Sequence, residues 1–458
     1  MNTKTLRQKI LDLAIHGKLV AQDPDDEPAS ELLKRIKAEK EQQIKEGKIK
    51  QSKKTKTTSD TPKSENPPFE IPSSWEWTTL GEIAYVASGS TPEKTAFVED
   101  GIPYLKMYNL RNQQIDFEFK PQYIKEEVHK GKLERSMTKV GDLLMNIVGP
   151  PLGKLAIIPP DLPEANFNQA AVLIRPYLYK DTINVYLKNY LEEMSEIDSI
   201  ITRGCAGQVN ISLSQAQDMR ISLPPLAEQK RIVAEIERWF ALIDQIEQSK
   251  ATLQATIAQV KKKILDLAIH GKLVAQDPDD EPASELLKRI NPQAEQTYEE
   301  ELPKGWTYSK LEDVVDYEQP TNYIVHSTNY SDAYSIPVLT AGKSFIIGYT
   351  NEHENVYTKL PCIIFDDFTT NSKFVDFQFK VKSSAMKILQ VRAAAEVKYV
   401  AMFMSITRLI GDTHKRYWIS EYSKIKIPLP PLAEQKRIVK KIEELFGVLD
   451  TIRQALGE

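Results

Sequence analysis

Short stretches of the chain contain residue types that catalytic sites use, and the first lies at Asn66–Phe69. Its sequence, NPPF, matches the catalytic tetrapeptide of adenine methyltransferases. Such a motif should end a buried strand of a doubly wound sheet, downstream of a glycine-rich cofactor loop. A lysine- and serine-rich stretch precedes it here and no such loop is found, so methyl transfer by this chain is poorly supported.

Three further stretches resemble phosphate-binding or nuclease motifs. Gly149–Lys154 (GPPLGK) is one residue too short for a P-loop and continues into Leu155 instead of serine or threonine. Gly342–Ser344 (GKS) has Pro337 where the first P-loop glycine belongs. Glu118–Lys120 offers a Glu-x-Lys triplet, but no Pro-Asp partner is well placed. An ATPase or a nuclease is therefore poorly supported as well, and no catalytic residue is predicted.

The composition predicts a cytoplasmic chain without a membrane segment. No stretch approaches the roughly 18 unbroken apolar residues of a membrane span, and the N-terminal sequence lacks the apolar core of a signal peptide. Cys205 and Cys362 form no metal-spaced group, and we interpret both as packing residues in a reducing compartment. The 458 residues carry a net charge of −4, which neither indicates nor excludes a nucleic-acid partner.

The elements that must position any site are organised by a duplication. Lys9–Ile36 recurs letter for letter at Lys263–Ile290, and Ile221–Glu237 recurs with few changes at Ile427–Glu443. Unlike sequences fill the two intervals, so a repeated frame surrounds two different inserts. The frame blocks are joined directly in mid-chain and split between the chain ends. This nearly cyclic order predicts approximate two-fold symmetry with adjacent termini, because a linear solenoid needs at least three repeats.

Apolar spacing within the frame predicts long helices. Residues that are apolar except for Lys250 follow steps of three and four from Ile236 to Leu267, and apolar residues do so again from Ile438 to Leu456. Proline at Pro225 blocks helix upstream, and Gly271 suits a helix C-terminus. We therefore expect one helix over about 227–270, packed antiparallel against its split counterpart.

The inserts have a different character, with short β-rich runs separated by turns. Each opens with a Pro-x-x-Trp sequence, at Pro72–Trp75 and Pro303–Trp306, and each has a helix-compatible stretch near its end. The first insert holds 15 basic and 19 acidic residues over 71–222 and the second 15 and 13 over 302–428, so neither is a basic surface throughout. The predicted fold class is α+β. Two mixed α/β domains are separated by an antiparallel pair of long coiled-coil helices, pseudo-two-fold symmetric and cyclically arranged.

Several of these features together resemble the specificity subunit of Type I restriction-modification systems. They are the doubled LPPLAEQKRIV and KILDLAIHGKL blocks, the Pro-x-x-Trp openings, Gly141–Ile158 (GDLLMNIVGPPLGKLAII) and Ile201–Ser212 (ITRGCAGQVNIS). The similarity covers essentially the whole chain. A Lys-rich stretch after residue 36 and a shorter second insert depart from the family pattern without affecting the assignment.

The resemblance implies a non-catalytic subunit. In that family each insert is a target-recognition domain that reads one half of a split, asymmetric DNA site, while the helices set the spacing and dock two methyltransferase subunits. The implied partners are double-stranded DNA, two methyltransferase subunits and restriction subunits that join later, with no membrane. No cofactor is implied on this chain. S-adenosylmethionine would belong to the methyltransferase, and ATP and magnesium to the restriction subunit.

The same resemblance divides the chain into six parts. They are an N-terminal helical segment at 1–36, a Lys-rich linker at 37–70, recognition domain 1 at 71–222, a central region with the spacer helix at 223–290, recognition domain 2 at 291–428 and a C-terminal helix at 429–458.

Base reading is expected from loops that carry Arg, Lys, Asn and Gln beside aromatic residues, because these side chains pair with base edges and phosphates. Such residues follow the Ile102–Leu105 strand and occupy the loop around Cys205, and the second insert has similar places. The predicted DNA-binding residues are Lys106, Tyr108, Asn109, Arg111, Asn112, Arg203, Gln208, Asn210, Lys343, Ser344, Thr369, Thr370, Asn371, Lys373, Lys415, Arg416 and Tyr417. A non-catalytic scaffold that reads no sequence is the remaining alternative.

Overall fold

A computed structural model describes residues 2–49, 67–149, 152–162, 164–197, 210–294, 302–340, 344–407, 409 and 416–456. The chain divides into two compact units, 1–248 and 249–458. Each unit combines one copy of the frame with one insert, and each is described by itself.

The helices of the first unit are α1 (Thr3–Ile15), α2 (Ala29–Lys45), α3 (Leu80–Ile83), α4 (Glu126–Lys130), α5 (Lys180–Ile197), α6 (Leu213–Gln217) and the first part of α7 (Leu226–Ile269). The second unit contains the rest of α7, α8 (Ala283–Ile290), α9 (Leu311–Val314), α10 (Val397–Ile406), α11 (Tyr417–Ser420) and α12 (Leu432–Ala455). The α2 helix occupies the beginning of the Lys-rich stretch, and α7 agrees with the predicted mid-chain helix to within one residue at each end.

The first insert folds on three small sheets and a hairpin. The strands are β1 (Glu76–Thr79), β2 (Ala84–Ser88), β3 (Phe97–Val98), β4 (Ile102–Leu105), β5 (Leu110–Arg111), β6 (Gln114–Ile115), β7 (Tyr123–Ile124), β8 (Leu143–Asn146), β9 (Leu155–Ile157), β10 (Asn166–Phe167), β11 (Ala171–Pro176) and β12 (Arg220–Leu223). Strands β1 and β12 pair antiparallel, one four-stranded sheet has the order β2-β11-β8-β9, another has the order β10-β4-β7-β3, and β5 and β6 form the hairpin. Only the β10–β4 pair is parallel among these.

The strands of the second insert are β13 (Thr307–Lys310), β14 (Val315–Glu318), β15 (Ile336–Leu339), β16 (Ile346–Thr350), β17 (Cys362–Asp366), β18 (Ser372–Val375), β19 (Lys380–Val381), β20 (Met386–Val391) and β21 (Lys426–Leu429). They repeat most of this topology, without counterparts of β3 and the β5–β6 hairpin in the described residues. Strands β13 and β21 pair antiparallel, a four-stranded sheet has the order β14-β20-β17-β18, and a three-stranded sheet has the order β16-β15-β19 with β15 parallel to β19. The mixed α/β fold with two like domains and long helices is therefore confirmed.

A buried tryptophan–glutamate pair joins the insert to the frame in the first unit. The Trp75 indole N–H donates to the Glu228 carboxylate at 2.9 Å, and the Gln22 amide donates to its other oxygen at 2.6 Å. Beside them, the Arg231 guanidinium makes a two-point contact with Asp26 at 2.6 and 3.1 Å. The start of α7, the loop after α1 and the opening of the insert thus meet at one junction.

The second unit builds the same junction from the second copy of the frame. The Trp306 indole N–H donates to Glu434 at 3.0 Å, and Arg437 contacts Asp280 at 2.6 and 3.2 Å. We call Trp75–Glu228 and Trp306–Glu434 the two junctions. Because each contains both frame blocks, the sequence duplication corresponds to a structural one.

The glycine after α1 has a specific role at the first junction. Gly17 adopts a φ of +66°, and a Cβ built on it would lie 2.5 Å from the Pro72 ring. Gly271 repeats this with a φ of +64° and a distance of 2.4 Å to Pro303. The left-handed conformation and the close approach of the insert both require glycine here.

The long helices pack in antiparallel pairs within each unit. In the first, Arg7 of α1 contacts Asp244 at 2.6 Å, while the Ile15 carbonyl at the other end accepts from Ser222 at 3.1 Å. In the second, Lys261 of α7 contacts Asp450 of α12 at 2.7 Å. The predicted apolar seam is only partly buried. Positions such as Ile236, Ile243, Ile257 and Ile264 are covered, whereas Ile246, Leu253 and Val260 are 36–39% exposed.

The junction makes stability depend on pH in a direction that can be tested with Glu228→Gln. Burial raises the pKa of Glu228, and the hydrogen bonds from Trp75 and Gln22 only partly offset it. The folded state therefore favours the protonated form, and the wild type should gain free energy of unfolding relative to the variant as pH falls from neutral to about 4.3, the ordinary value of a glutamate. Denaturant unfolding of the full chain across this range measures the difference.

Glu235→Gln is the matched control on the same helix. Its hydrogen bond with Arg238 lowers the pKa of Glu235, so the wild type should lose free energy of unfolding relative to this variant when the series is extended below about pH 4.3. A Glu228→Gln difference that does not change with pH would contradict a buried carboxylate with a raised pKa at the junction.

Candidate nucleic-acid interface

The β5–β6 hairpin of the first insert presents the first group of predicted residues. Arg111 and Asn112 are exposed, and the turn places Asn112 and Gln113 at φ values of +49° and +57°. The Gln113 amide oxygen accepts from the Leu155 backbone N–H at 2.7 Å. This bond fixes the tip of the hairpin against the start of β9. The loop between β8 and β9 ends at this point and therefore lies next to the hairpin.

Cations and aromatic rings are interleaved beside this hairpin. The Arg111 guanidinium lies 4.1 Å from the centroid of the Phe119 ring and contacts Asp116 at 3.4 Å. The Lys120 ammonium lies 5.5 Å from the same ring, and the Tyr108 ring meets its edge at 6.1 Å. Phe119 nevertheless remains 36% exposed. An exposed ring held between cations is a surface suited to phosphates and base edges.

Asn109, in contrast, is buried and holds the surrounding loop. Its amide oxygen accepts from the Lys106 backbone at 2.9 Å, and its nitrogen donates to the carbonyls of Asp116 and Phe119 at 3.0 and 2.9 Å. All three bonds are internal, so Asn109 is placed to position the loop. Lys106 is half-buried, with its ammonium 5.8 Å from the Phe97 ring.

One predicted residue near the end of the first insert, Asn210, lies in the same region. Asn210 bridges to Val148, and the Ile211 N–H donates to the Ile147 carbonyl at 2.9 Å. Asn210 therefore lies beside the loop between β8 and β9. Arg203 and Gln208 lie outside the described residues.

In the second insert, the β17–β18 loop carries several predicted residues on a buried polar support. Asp366 accepts from the Phe368 N–H at 3.0 Å and from the Thr369 hydroxyl. Thr369 is exposed and Asn371 half-buried, whereas Thr370 is buried and its hydroxyl accepts from the Leu409 N–H at 3.2 Å. Thr369 and Asn371 are thus available to a ligand, and Thr370 fixes the loop.

Lys373 connects this loop to the β15–β16 hairpin. Its ammonium lies 4.9 Å from the Phe345 ring, and the neighbouring Ser344 is exposed, with its hydroxyl donating to the Ile346 carbonyl at 2.7 Å. Two predicted groups that are distant in sequence therefore share one surface. Lys343 and Lys415 lie outside the described residues.

The segment that begins at Arg416 is anchored by the buried ion pair between Asp367 and Lys387. The Tyr417 N–H donates to the Asp367 carbonyl at 2.9 Å, and the Asp367 carboxylate accepts from Trp418 at 2.8 Å and contacts the Lys387 ammonium at 3.4 Å. Tyr417 is itself buried, whereas Arg416 is exposed. Of the two predicted residues Arg416 and Tyr417, Arg416 is therefore the one available to a ligand.

The sequence did not predict the residues that support the predicted contacts. In the second insert, the loops that carry these contacts are held by Asp366, Asp367 and Lys387; we call this the second surface. In the first insert, the surface beside the β5–β6 hairpin is completed by Phe119 and Lys120; we call this the first surface. The role of the two aspartates could have been predicted, because two carboxylates near the end of the apolar CIIFDDF run must find partners inside the fold. For Phe119, the signal was an exposed aromatic between charged neighbours, which is also typical of ordinary loops.

The motifs with catalytic resemblance have structural roles in the described residues. The centroid of the Phe69 ring lies 4.1 Å from that of His16 and 4.9 Å from that of Trp77, so Phe69 packs between the end of α1 and strand β1. The GPPLGK loop joins two antiparallel strands, whereas a P-loop joins a strand to a helix. Burial raises the pKa of the Cys362 thiol to about 12, as expected of a packing residue; Cys205 lies outside the described residues.

The described part of the chain contains neither a membrane-spanning helix nor a cluster of metal ligands. No helix there is long and apolar enough to cross a membrane. No cluster of three or more His, Cys, Asp or Glu side chains there could hold a metal ion.

Comparison with known proteins identifies the family. The profile of the Type I restriction modification DNA specificity domain matches residues 72–255 and 303–457, one match for each insert with part of its frame. The chain therefore belongs to this family and is a non-catalytic DNA specificity subunit of a Type I restriction-modification system, with two target-recognition domains.

Individual relatives agree with the family match. The EcoAI specificity subunit from Escherichia coli is 27% identical over 98% of this chain and 90% of its own length. The EcoR124I/EcoR124II specificity subunit from the same organism is 44% identical over 36% of this chain and 43% of the relative. A solved structure from work on complex assembly and conformational transition of the Type I system has a TM-score of 0.54 at 18% identity, covering 85% of this chain and 94% of the other, and shows the shared fold.

Proposed function

We propose that the two domains read the two halves of one bipartite, asymmetric double-stranded DNA target. The observation that carries this proposal is that two domains with a shared order of core strands present different exposed side chains. The first domain offers Asn112, Asn210 and Arg111, whose guanidinium lies over the Phe119 ring. The second offers Thr369, Asn371, Arg416 and Lys373, whose ammonium lies over the Phe345 ring. Different side chains on a shared strand order are what two unlike half-sites require.

The individual contacts follow from exposure. We assign direct DNA contacts to the exposed and half-buried residues of the two surfaces, including Lys106, Tyr108 and Ser344, and positioning roles to buried Asn109, Thr370 and Tyr417. Arg203, Gln208, Lys343 and Lys415 remain predicted contacts from the sequence.

Exchange of one domain tests this proposal. Replacing 71–222 by the matching domain of a relative should change one half of the methylated motif and preserve the other, because each domain closes on its own paired first and last strands. The motif is determined by mapping methylated adenines produced by the complex with its methyltransferase subunits. The reciprocal exchange of 302–428 is the control. If both halves change together, or if methylation loses all sequence preference as a simple scaffold would give, the proposal fails.

We further propose that the frame docks two methyltransferase subunits, one at each copy. Leu242 and Ile246 on α7 are 40% and 37% exposed, and Val448 and Ile452, at the matching positions of α12, are 58% and 41% exposed. The same apolar pair thus recurs at the same place in both frame copies, which suits two copies of one partner. Restriction subunits would join this assembly in the cytoplasm. S-adenosylmethionine, ATP and magnesium would be bound by these partners.

Leu242→Asp tests the docking proposal. A charge in the centre of an apolar contact should remove one docking event, so mass measurement of the purified complex should give one methyltransferase subunit instead of two. Val448→Asp should have the same effect, and the double variant should retain none. Gln245→Asp, at an exposed polar position of α7, is the control and should leave two. Two subunits in all variants would contradict the proposal.

Charge reversal at the start of α7 gives a less clear test of docking. Lys230 is exposed, but Arg231 is bound to Asp26, and its charge reversal would disturb the junction.

The helices are also proposed to set the gap between the half-sites. The α7 helix is continuous over 44 residues and belongs in part to each unit, so its length is shared by both domains. Seven added residues lengthen a helix by about 10 Å, equal to about three stacked base pairs, and preserve the heptad phase.

Heptad insertion tests the spacing proposal. One heptad after Gln254, with another between Arg453 and Leu456, should widen the unread spacer by up to about three base pairs and leave both half-sites unchanged. A three-residue insertion at the same places disturbs the helix phase and should abolish methylation. Mapping of methylated adenines reports the spacer. An active heptad variant that methylates sites with the original spacer would show that the helices do not set the distance.

A further inference from the structure

The GPPLGK loop of the first domain, between β8 and β9, occupies the same place in its sheet as the β17–β18 loop of the second domain. Strand β8 pairs with β9 as β17 pairs with β18, and each pair occupies the same edge of its four-stranded sheet. The Asn146 N–H donates to the Lys154 carbonyl at 2.9 Å, and the Asp366 N–H donates to the Asn371 carbonyl at 2.8 Å. Lys154 therefore stands where Asn371 stands in the second domain.

The two loops are also supported in the same way. The Asn146 amide oxygen accepts from the Lys154 N–H at 2.6 Å and its nitrogen donates to the Val148 carbonyl at 3.3 Å, while Asp366 holds its own loop through two acceptor bonds. Gly149 has a φ of +84° with open space around it, so its conformation and not crowding selects glycine. A buried polar residue thus fixes the base of each loop.

The surroundings of Lys154 point to a ligand. The residue after it, Leu155, is bonded to the Gln113 side chain at the tip of the β5–β6 hairpin at 2.7 Å, and Val148 in the same loop pairs with Asn210. Within the described residues, no hydrogen bond or ion pair engages its half-buried ammonium. A lysine whose backbone is fixed and whose neighbours are amide side chains has the setting of a base-reading group, because lysine pairs with the guanine O6 and N7 acceptors.

We propose that Lys154 is a specificity-determining residue of recognition domain 1 and reads a base in the first half-site. The inference rests on the proposed function of this surface and extends it to the loop between β8 and β9. The second half-site does not depend on this residue.

The test uses Lys154→Ala in the complete complex with methyltransferase subunits. The probes are duplexes with the motif that the wild-type complex methylates, and a set with single-base changes in each half. The variant should lose about 5- to 150-fold of the wild-type discrimination at one position of the first half-site, the equivalent of about 1–3 kcal/mol per base contact. Discrimination in the second half-site should be unchanged.

Three comparisons make the result decisive. Lys132→Ala, at an exposed lysine paired with Glu93 in the same domain, should behave as wild type. An unfolding midpoint of Lys154→Ala equal to wild type excludes a folding defect, and Lys154→Gln provides a second variant if the alanine protein unfolds.

Two outcomes would overturn the inference. One is a uniform loss of affinity with unchanged discrimination, which would indicate a phosphate contact, and the other is no effect. If Arg111→Ala is also without effect, the proposed function of the whole surface fails; an effect of Arg111→Ala alone rejects only the role of Lys154.

Discussion

The fold depends on a constraint that acts where each recognition domain meets the frame. A domain inserted in a helical frame leaves and re-enters at two points, and these points must be held together. In the first unit, β1 and β12 pair along their full lengths, and the Trp75 indole reaches the Glu228 carboxylate in the first turn of α7. The ends of the domain and the start of the long helix are therefore fixed by neighbouring interactions. Burial of a carboxylate is unfavourable unless its oxygens are bonded, so the junction tolerates few alternative arrangements.

Above this junction, the domains separate structural support from the surface that meets DNA. Buried polar side chains such as Asn109, Asn146 and Asp366 satisfy the backbone of the loops, and the exposed side chains lie between them. The second domain adds the Asp367–Lys387 pair, in which both charged groups are nearly inaccessible. Loops supported in this way can hold side chains in defined positions, which base discrimination requires.

The sequence predicted the parts of the molecule whose signal is local or repeated. The exact repetition of Lys9–Ile36 implied two equal units, and the three–four spacing after Pro225 predicted α7. The prediction of the DNA surface was less complete because it depended on contacts between distant segments. Nothing near Gln113 indicates that its side chain would meet the Leu155 backbone, and Asn109 has the same composition signal as Asn112 although one is buried and the other exposed. The helix seam was predicted in phase, but the exposure of Ile246 and Leu253 is set by the neighbouring elements available to cover them.

The buried amide of Asn109 has a consequence for how this subunit could change over evolutionary time. Its three hydrogen bonds go to backbone atoms, so they do not depend on which side chains the neighbouring residues carry. Substitution at Arg111 alters the surface and removes only the contacts of its exposed side chain with Asp116 and Phe119. Folding therefore restricts Arg111 less than Asn109, whereas the positive φ of Asn112 favours asparagine or glycine there. A lineage could in this way acquire a new target by a few exposed substitutions, long before the shape of the domain itself diverges.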